Sequence, residues 1–152
     1  MARRRSSQPP EPGPGGWKLE IYEKLDGSCP YSIFLNSLDP YSQLVLDISV
    51  EKILGRQGHN VCGTSWGTPL GRGLYEFRVR RSLNSICKEV GLPLPEGFHE
   101  GSEILLRVFF AVEGARVILL LSGYDKGKDS KEKRQDREIK IARKILREHK
   151  RS

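Results

Sequence analysis

Leu74-Tyr75-Glu76-Phe77-Arg78-Val79-Arg80-Arg81 decides the fold. The run alternates, so Tyr75, Phe77 and Val79 leave one face of a strand, and Glu76, Arg78 and Arg80 leave the other. An apolar face opposite a charged one predicts a sheet with a core on at least one side. Downstream, Ile104–Val112 and Arg116–Gly123 read as two further strands, joined by the turn signal Glu113-Gly114. Both are apolar over consecutive positions, which predicts a sheet covered on much of both sides.

Upstream, Lys18-Leu19-Glu20-Ile21-Tyr22 alternates and predicts a half-buried strand, closed by the turn residues Asp26-Gly27-Ser28. Tyr31, Phe34, Leu35 and Leu38 then fall at helical spacing, with Ser28 as the expected N-cap and Pro30 in the first turn. Asp39-Pro40 repeats the start signal. Leu44, Val45, Leu46, Ile48, Ile53 and Leu54 carry a second helix, expected to end at Gly55. Two antiparallel helices with a two-residue joint make a helical hairpin. Glycine-rich residues 55–73 read as a loop. Residues 82–102 read as an inserted loop with a short helix at Ser82–Val90. Asp136–Glu148 is expected to be helical, with Ile139, Ala142, Ile145 and Leu146 on one stripe.

The order strand, helix, helix, strand, strand, strand, helix predicts an α+β fold. It would have a small antiparallel-rich sheet of about four strands, an N-terminal helical hairpin, a C-terminal helix, and its helices on one face. Residues 1–16, rich in Arg, Ser, Pro and Gly, are expected to be a disordered tail, and 17–150 a single domain.

The charge is uneven. The chain carries 26 Lys+Arg against 19 Asp+Glu, a net +7. Residues 126–152 alone hold 12 basic and 5 acidic side chains, whereas residues 17–125 are slightly acidic. An excess gathered at the chain ends favours a polyanionic partner. No apolar run exceeds five residues, so no membrane span is expected. The three cysteines, Cys29, Cys62 and Cys87, are odd in number and far apart, which predicts a reducing, cytoplasmic compartment. His59-x-x-Cys62 lacks a second ligand pair, so no metal and no cofactor is expected. His99 and His149 are read as exposed loop and tail residues.

Catalytic signatures built on glycine loops, nucleophile elbows or His-Glu motifs are missing. What remains is a set of cations. Arg78 and Arg80 share a strand face. Arg107 sits among Ile104-Leu105-Leu106 and Val108-Phe109-Phe110, where burial unpaired would be costly. It either pairs with a carboxylate such as Glu76 or lines a groove holding an anion. Tyr124, Lys126 and Lys128 follow the last strand, and Lys131 and Lys133 open the basic C-terminal run. A basic groove can bind a sugar-phosphate backbone, or stabilise the charge that develops when a 2′-hydroxyl attacks its neighbouring phosphorus. The residues alone leave both open.

Gly71-Arg72-Gly73-Leu74-Tyr75-Glu76-Phe77-Arg78-Val79-Arg80 resembles a strand of bacterial RelE/HigB-like toxins, in a phage-derived branch of the RelE/ParE superfamily. Arg107-Val108-Phe109-Phe110 is similar to a second strand of that family. Val117–Tyr124 with Lys126 is similar to a third, and Arg137–Arg143 to its closing helix. The likeness spans about 18–147 in one element order. It implies a compact sheet with two N-terminal helices and a cleft. It implies the toxin of a toxin–antitoxin pair, a ribosome-dependent endoribonuclease cutting mRNA without a metal. The implied partners are the ribosome, mRNA and a cognate antitoxin, often a helix-turn-helix protein. Matched by position, Arg78 and Arg80 would contact phosphate and Arg107 would stabilise the transition state. Lys126, the basic residue after the last strand, would stabilise phosphoryl charge beside Arg107, and Tyr124 is the aromatic before it, able to stack on a base or relay a proton. Lys128 enters by proximity, and Lys131 and Lys133 as RNA-binding residues. The insertion at 82–102 departs from the family and could cover the cleft or reshape the antitoxin surface. Open alternatives are a gyrase poison on the same fold and a nucleic-acid or ribosome binder without catalysis.

Overall fold

The computed structural model describes residues 3–4 and 16–151. The expected tail falls mainly outside the described residues. Five strands build the main sheet: β1 (Lys18–Glu23), β2 (Gly67–Gly71), β3 (Leu74–Arg81), β4 (Ile104–Glu113) and β5 (Val117–Asp125). Their order is β1-β5-β4-β3-β2. The β1–β5 pair is parallel and the others are antiparallel. Arg3–Arg4 adds a two-residue strand antiparallel to Tyr22 and Glu23 on β1. The fold is thus α+β with a mixed sheet.

One strand was hidden in the sequence. β2 lies inside 55–73, where glycines and Pro69 argue for a loop. It is an edge strand, and an edge tolerates proline because the missing N–H can face away from the ladder. Its hairpin to β3 turns through Gly71, Arg72 and Gly73, all at positive φ.

The helical hairpin is α1 (Pro30–Ser37) and α2 (Pro40–Ser49). Asp39 caps α2, accepting from the Ser42 amide at 2.7 Å. The Gln43 side-chain amide donates to the Leu35 and Leu38 carbonyls, satisfying the end of α1. Ser28 is not the cap of α1. Its amide and hydroxyl donate back to Asp26, and Cys29 takes the cap position. Nor does Gly55 end α2. The helix runs on through a π turn at Val50–Leu54 and a last turn at Gly55–Gln57. It stops at Gly58, whose φ of +59° and close approach to the Trp17 indole leave no room for a Cβ.

The expectation of helices on one face is overturned. The hairpin and α3 (Leu83–Val90) cover one side of the sheet, burying Leu19, Ile21, Phe77, Val79, Val108 and Leu120. The C-terminal helix α4 (Glu132–Arg151) covers the other, packing Ala142, Ile145 and Leu146 on Leu74, Phe109, Leu119 and Leu121. Two exits explain this. The chain leaves β1 toward one face and β5 toward the other. The apolar run of each central strand serves both layers. His149 is no free tail residue: it pairs with Glu113 and packs edge-on against Tyr22 at 5.5 Å, fixing the end of α4.

The insertion is ordered by one tyrosine. Tyr41 Oη on α2 accepts from the Leu83 amide at 2.9 Å and donates to the Ser102 carbonyl at 3.0 Å. Ser82 caps α3 and Gly91 ends it at φ +77°. The insertion's helix therefore lies on the hairpin side, away from the face that carries the paired arginines. Among the described residues, no helix is long and apolar enough to cross a membrane.

Candidate nucleic-acid interface

Strand register draws three candidates into one row. Arg78 on β3 stands opposite Arg107 on β4, and Arg107 stands opposite Tyr124 on β5. Tyr124 reaches this row through an irregularity. The β4–β5 register shifts between Phe109 and Phe110, leaving Leu121 as an extra residue on β5. Strict alternation from Ile118 and Leu120 would have sent Tyr124 to the hairpin side. The bulge switches its face. Gly123, beside it, presses the opposite face, where a Cβ would lie 2.5 Å from Phe34 and 2.8 Å from the Arg107 carbonyl.

Glu76 is the hub of the row, a carboxylate only 1% exposed. Its Oε1 accepts from Arg78 Nε at 3.1 Å and lies 3.8 Å from Arg107 Nε. Its Oε2 accepts from Gln135 Nε2 of α4 at 3.2 Å. Of the two fates open to Arg107, pairing with Glu76 is the one observed. Arg107 also donates to its neighbour Leu106 O at 3.4 Å, while its Nε is buried without a hydrogen bond among the described residues. Burial pulls its pKa below the ordinary arginine value, and the Glu76 charge opposes this. Arg78 is more open and also bonds Thr68 Oγ1 of β2.

Tyr124 is covered. Its ring stacks on Phe109 at 6.2 Å and lies under the Arg134 guanidinium at 5.2 Å. Burial, with Glu76 nearby, raises its phenol pKa. Stacking a base directly on this ring is closed while the first turns of α4 stay in place. Arg134 itself is held by Glu138 at 2.8 Å and Asp129 at 3.8 Å.

The other candidates lie off the row. Arg80, two residues beyond Arg78, is mostly exposed and pairs at 3.0 Å with Glu103, which lies between the insertion and β4. Lys126 is half-buried in the turn after β5, next to Gly127, whose amide donates to Leu105 O at 3.0 Å. Lys128 lines a crevice between α1 and α4. Lys131 and Lys133 are exposed where α4 begins. Sequence reasoning missed Thr68, Arg134 and Gln135. Glu76 was legible, two positions from Arg78 on one strand face. Gln135 gave no signal, since its role depends on how α4 crosses the sheet.

Chemically, the row offers two arginine forks, a phenol and one carboxylate clamped among donors. Such forks can meet a phosphate bidentately. Among the described residues, no group of three or more His, Cys, Asp and Glu side chains is placed to hold a metal ion. No family model, curated protein or solved structure matches the chain.

Proposed function

We propose that the chain is a RelE/HigB-like toxin that binds RNA over the Arg78–Arg107–Tyr124 row and cuts ribosome-bound mRNA. The observation that carries this reading is the row itself. Two arginines placed directly opposite on neighbouring strands repel each other, which is unfavourable in a sheet built for stability alone. An incoming phosphate is a natural further counter-charge for them. The motif order supports the reading too: the resembling segments fall on β3, β4, β5 and α4.

In the proposed reaction the RNA 2′-oxygen attacks the adjacent phosphorus in line. The 2′-hydroxyl gives its proton to water, the bond to the 5′-oxygen breaks, and that oxygen takes a proton from water in turn, leaving a cyclic phosphate and a 5′-hydroxyl. Arg107 and Arg78 stabilise the charge growing on the phosphoryl oxygens. Glu76 and Gln135 hold the forks in place, and Lys126 and Arg80 orient the backbone. The partners of this reading are the ribosome, mRNA and an antitoxin, in the cytoplasm.

The test is to induce the protein and map mRNA 5′ ends on ribosomes. New ends that vanish with Arg107→Ala support the reading. Arrested growth with intact mRNA overturns the nuclease assignment. One observation favours a second reading, a binder or gyrase-type inhibitor without catalysis: the Glu76 carboxylate already lies against both guanidinium groups as their counter-charge. A DNA-damage response with intact mRNA would identify the gyrase form.

A further inference from the structure

β1 and β5 are parallel neighbours whose chains leave in opposite directions. After β1 the chain turns through Asp26-Gly27-Ser28 into α1 on one side of the sheet. After β5 it turns into α4 on the other. Parallel strands with exits to opposite faces open a crevice at their carboxyl ends, and such switch points are where open sheets bind ligands. The pairing ends at Ile21–Leu120. Just beyond it lies a crevice of about 490 Å³, within the range of nucleotide-sized sites.

Three features of the crevice are otherwise unexplained. Ser122 Oγ and Tyr124 Oη belong to residues that line it, both more than nine-tenths buried, and neither hydroxyl has a hydrogen-bond partner among the described residues. Buried hydroxyls are seldom left so. Ile33 on α1 and Ile141 on α4 flank its mouth with exposed apolar surface, and Ile141 lies off the stripe that packs α4 to the sheet. Lys24 and Lys128 stand on its rim, and neither forms an ion pair among the described residues.

We propose that this crevice is a nucleotide pocket that takes one unstacked base of the RNA strand. The base slides between Ile33 and Ile141, its polar edge meets the Ser122 and Tyr124 hydroxyls, and its phosphate sits at Lys24 and Lys128. Single-stranded RNA is read in this way, by splayed bases held between side chains and hydrogen-bonded on their edges. Tyr124 belongs to both the pocket and the row, so a base in the crevice delivers the adjoining phosphate toward Arg107. This assignment rests on the RNA reading above and names the part of the site that would select a nucleotide.

The experiment titrates the full chain with each of the four 5′-ribonucleoside monophosphates and, separately, with inorganic phosphate, following amide and isoleucine-methyl NMR signals. The expected result is saturable shifts at Ser122, Gly123, Ile33 and Ile141 with at least one nucleotide and not with phosphate. Ile33→Asp, at an exposed position, should weaken that binding roughly ten-fold or more. Ser122→Ala should weaken it without lowering the melting temperature, since the hydroxyl it removes bonds none of the described residues. Silence at the crevice with all four nucleotides overturns the pocket, as do identical shifts with phosphate or full binding by both variants. Cleaved mRNA without nucleotide binding sinks the pocket alone. Nucleotide binding with intact mRNA sinks the nuclease reading and leaves the pocket standing.

Discussion

Arg78 and Arg107 face each other across the β3–β4 register, and both guanidinium groups lean on one oxygen of Glu76, at 3.1 and 3.8 Å. Two cations at facing positions raise the energy of a strand pair, and a buried carboxylate is costly without partners. Each defect is compensated by the other. Removing Glu76 leaves two opposed cations with no counter-charge. Glu76→Ala should therefore cost about 3–5 kcal/mol of unfolding free energy. Glu76→Gln should cost less, because an amide oxygen still accepts from Arg78. Urea denaturation of the two variants measures this. A loss below about 1 kcal/mol for Glu76→Ala would remove Glu76 from its central place.

Arg107→Ala differs from that case. Glu76 keeps Arg78 and Gln135, so the fold should survive with a smaller loss. Activity should not survive. Deleting one charge-stabilising donor commonly lowers a rate by about 10²–10³. Arg107→Lys keeps the charge and loses the fork, so it should fall between the wild type and Arg107→Ala. Single-turnover cleavage of ribosome-bound mRNA separates the three. Equal rates would move the chemistry away from this row.

The row shows what a sequence can and cannot disclose. Arg78 and Glu76 share a face by simple alternation, and the apolar neighbours of Arg107 mark it as needing a partner. Both were readable from spacing. Tyr124 was placed near the cations by proximity, but its face depends on the extra residue at Leu121, and bulges leave no reliable trace in a single sequence. β2 was lost because glycines and Pro69 resemble a loop, and only its edge position makes them acceptable. The two-sided covering was half legible. The apolar runs of β4 and β5 predicted it, while the side taken by α4 follows from chain exits that no local pattern records.

Gly123 offers a test of that bulged geometry. A methyl group there meets the Phe34 ring on one side and the Arg107 carbonyl on the other. Overpacking of this kind costs about 1–3 kcal/mol. Gly123→Ala should lower the melting temperature and also reduce activity, because the strain falls on the backbone of Arg107. An unaltered melting curve would mean that β5 and α1 can part without loss.

Asp47 on α2 predicts a pH effect of unusual sign. Burial, with Glu51 one turn away, pushes its carboxyl up to about 6 from an ordinary 3.8. Between those values the folded chain holds a proton that the unfolded chain has released. The contribution of this site is therefore greatest at the acid end of the window and declines as pH rises through it. Above about 6 the charged carboxylate is a constant penalty. Asp47→Asn should stabilise the protein at neutral pH on the order of 1 kcal/mol, once solvent screening of a partly open group is allowed for. The gain should vanish toward the acid end. Melting temperatures of both proteins across the window decide it, and a gain that does not change with pH would assign the effect to something other than this proton.

Lys131 and Lys133 stand apart from the row, exposed where α4 begins, and neither forms an ion pair among the described residues. If RNA is the ligand, their part is long-range attraction and not chemistry. Replacing both with alanine should weaken RNA binding across sequences. The slope of log affinity against log salt should fall by roughly 0.7 for each phosphate of a single strand that is no longer neutralised. Cleavage at saturating RNA should be untouched, since neither lysine is bonded to Glu76, Arg78, Arg107 or Tyr124 among the described residues. Filter binding at several salt concentrations, beside single-turnover rates, tests both halves. A variant that binds normally but cuts slowly would bring these lysines into the catalytic row and would require α4 to lie differently over Tyr124.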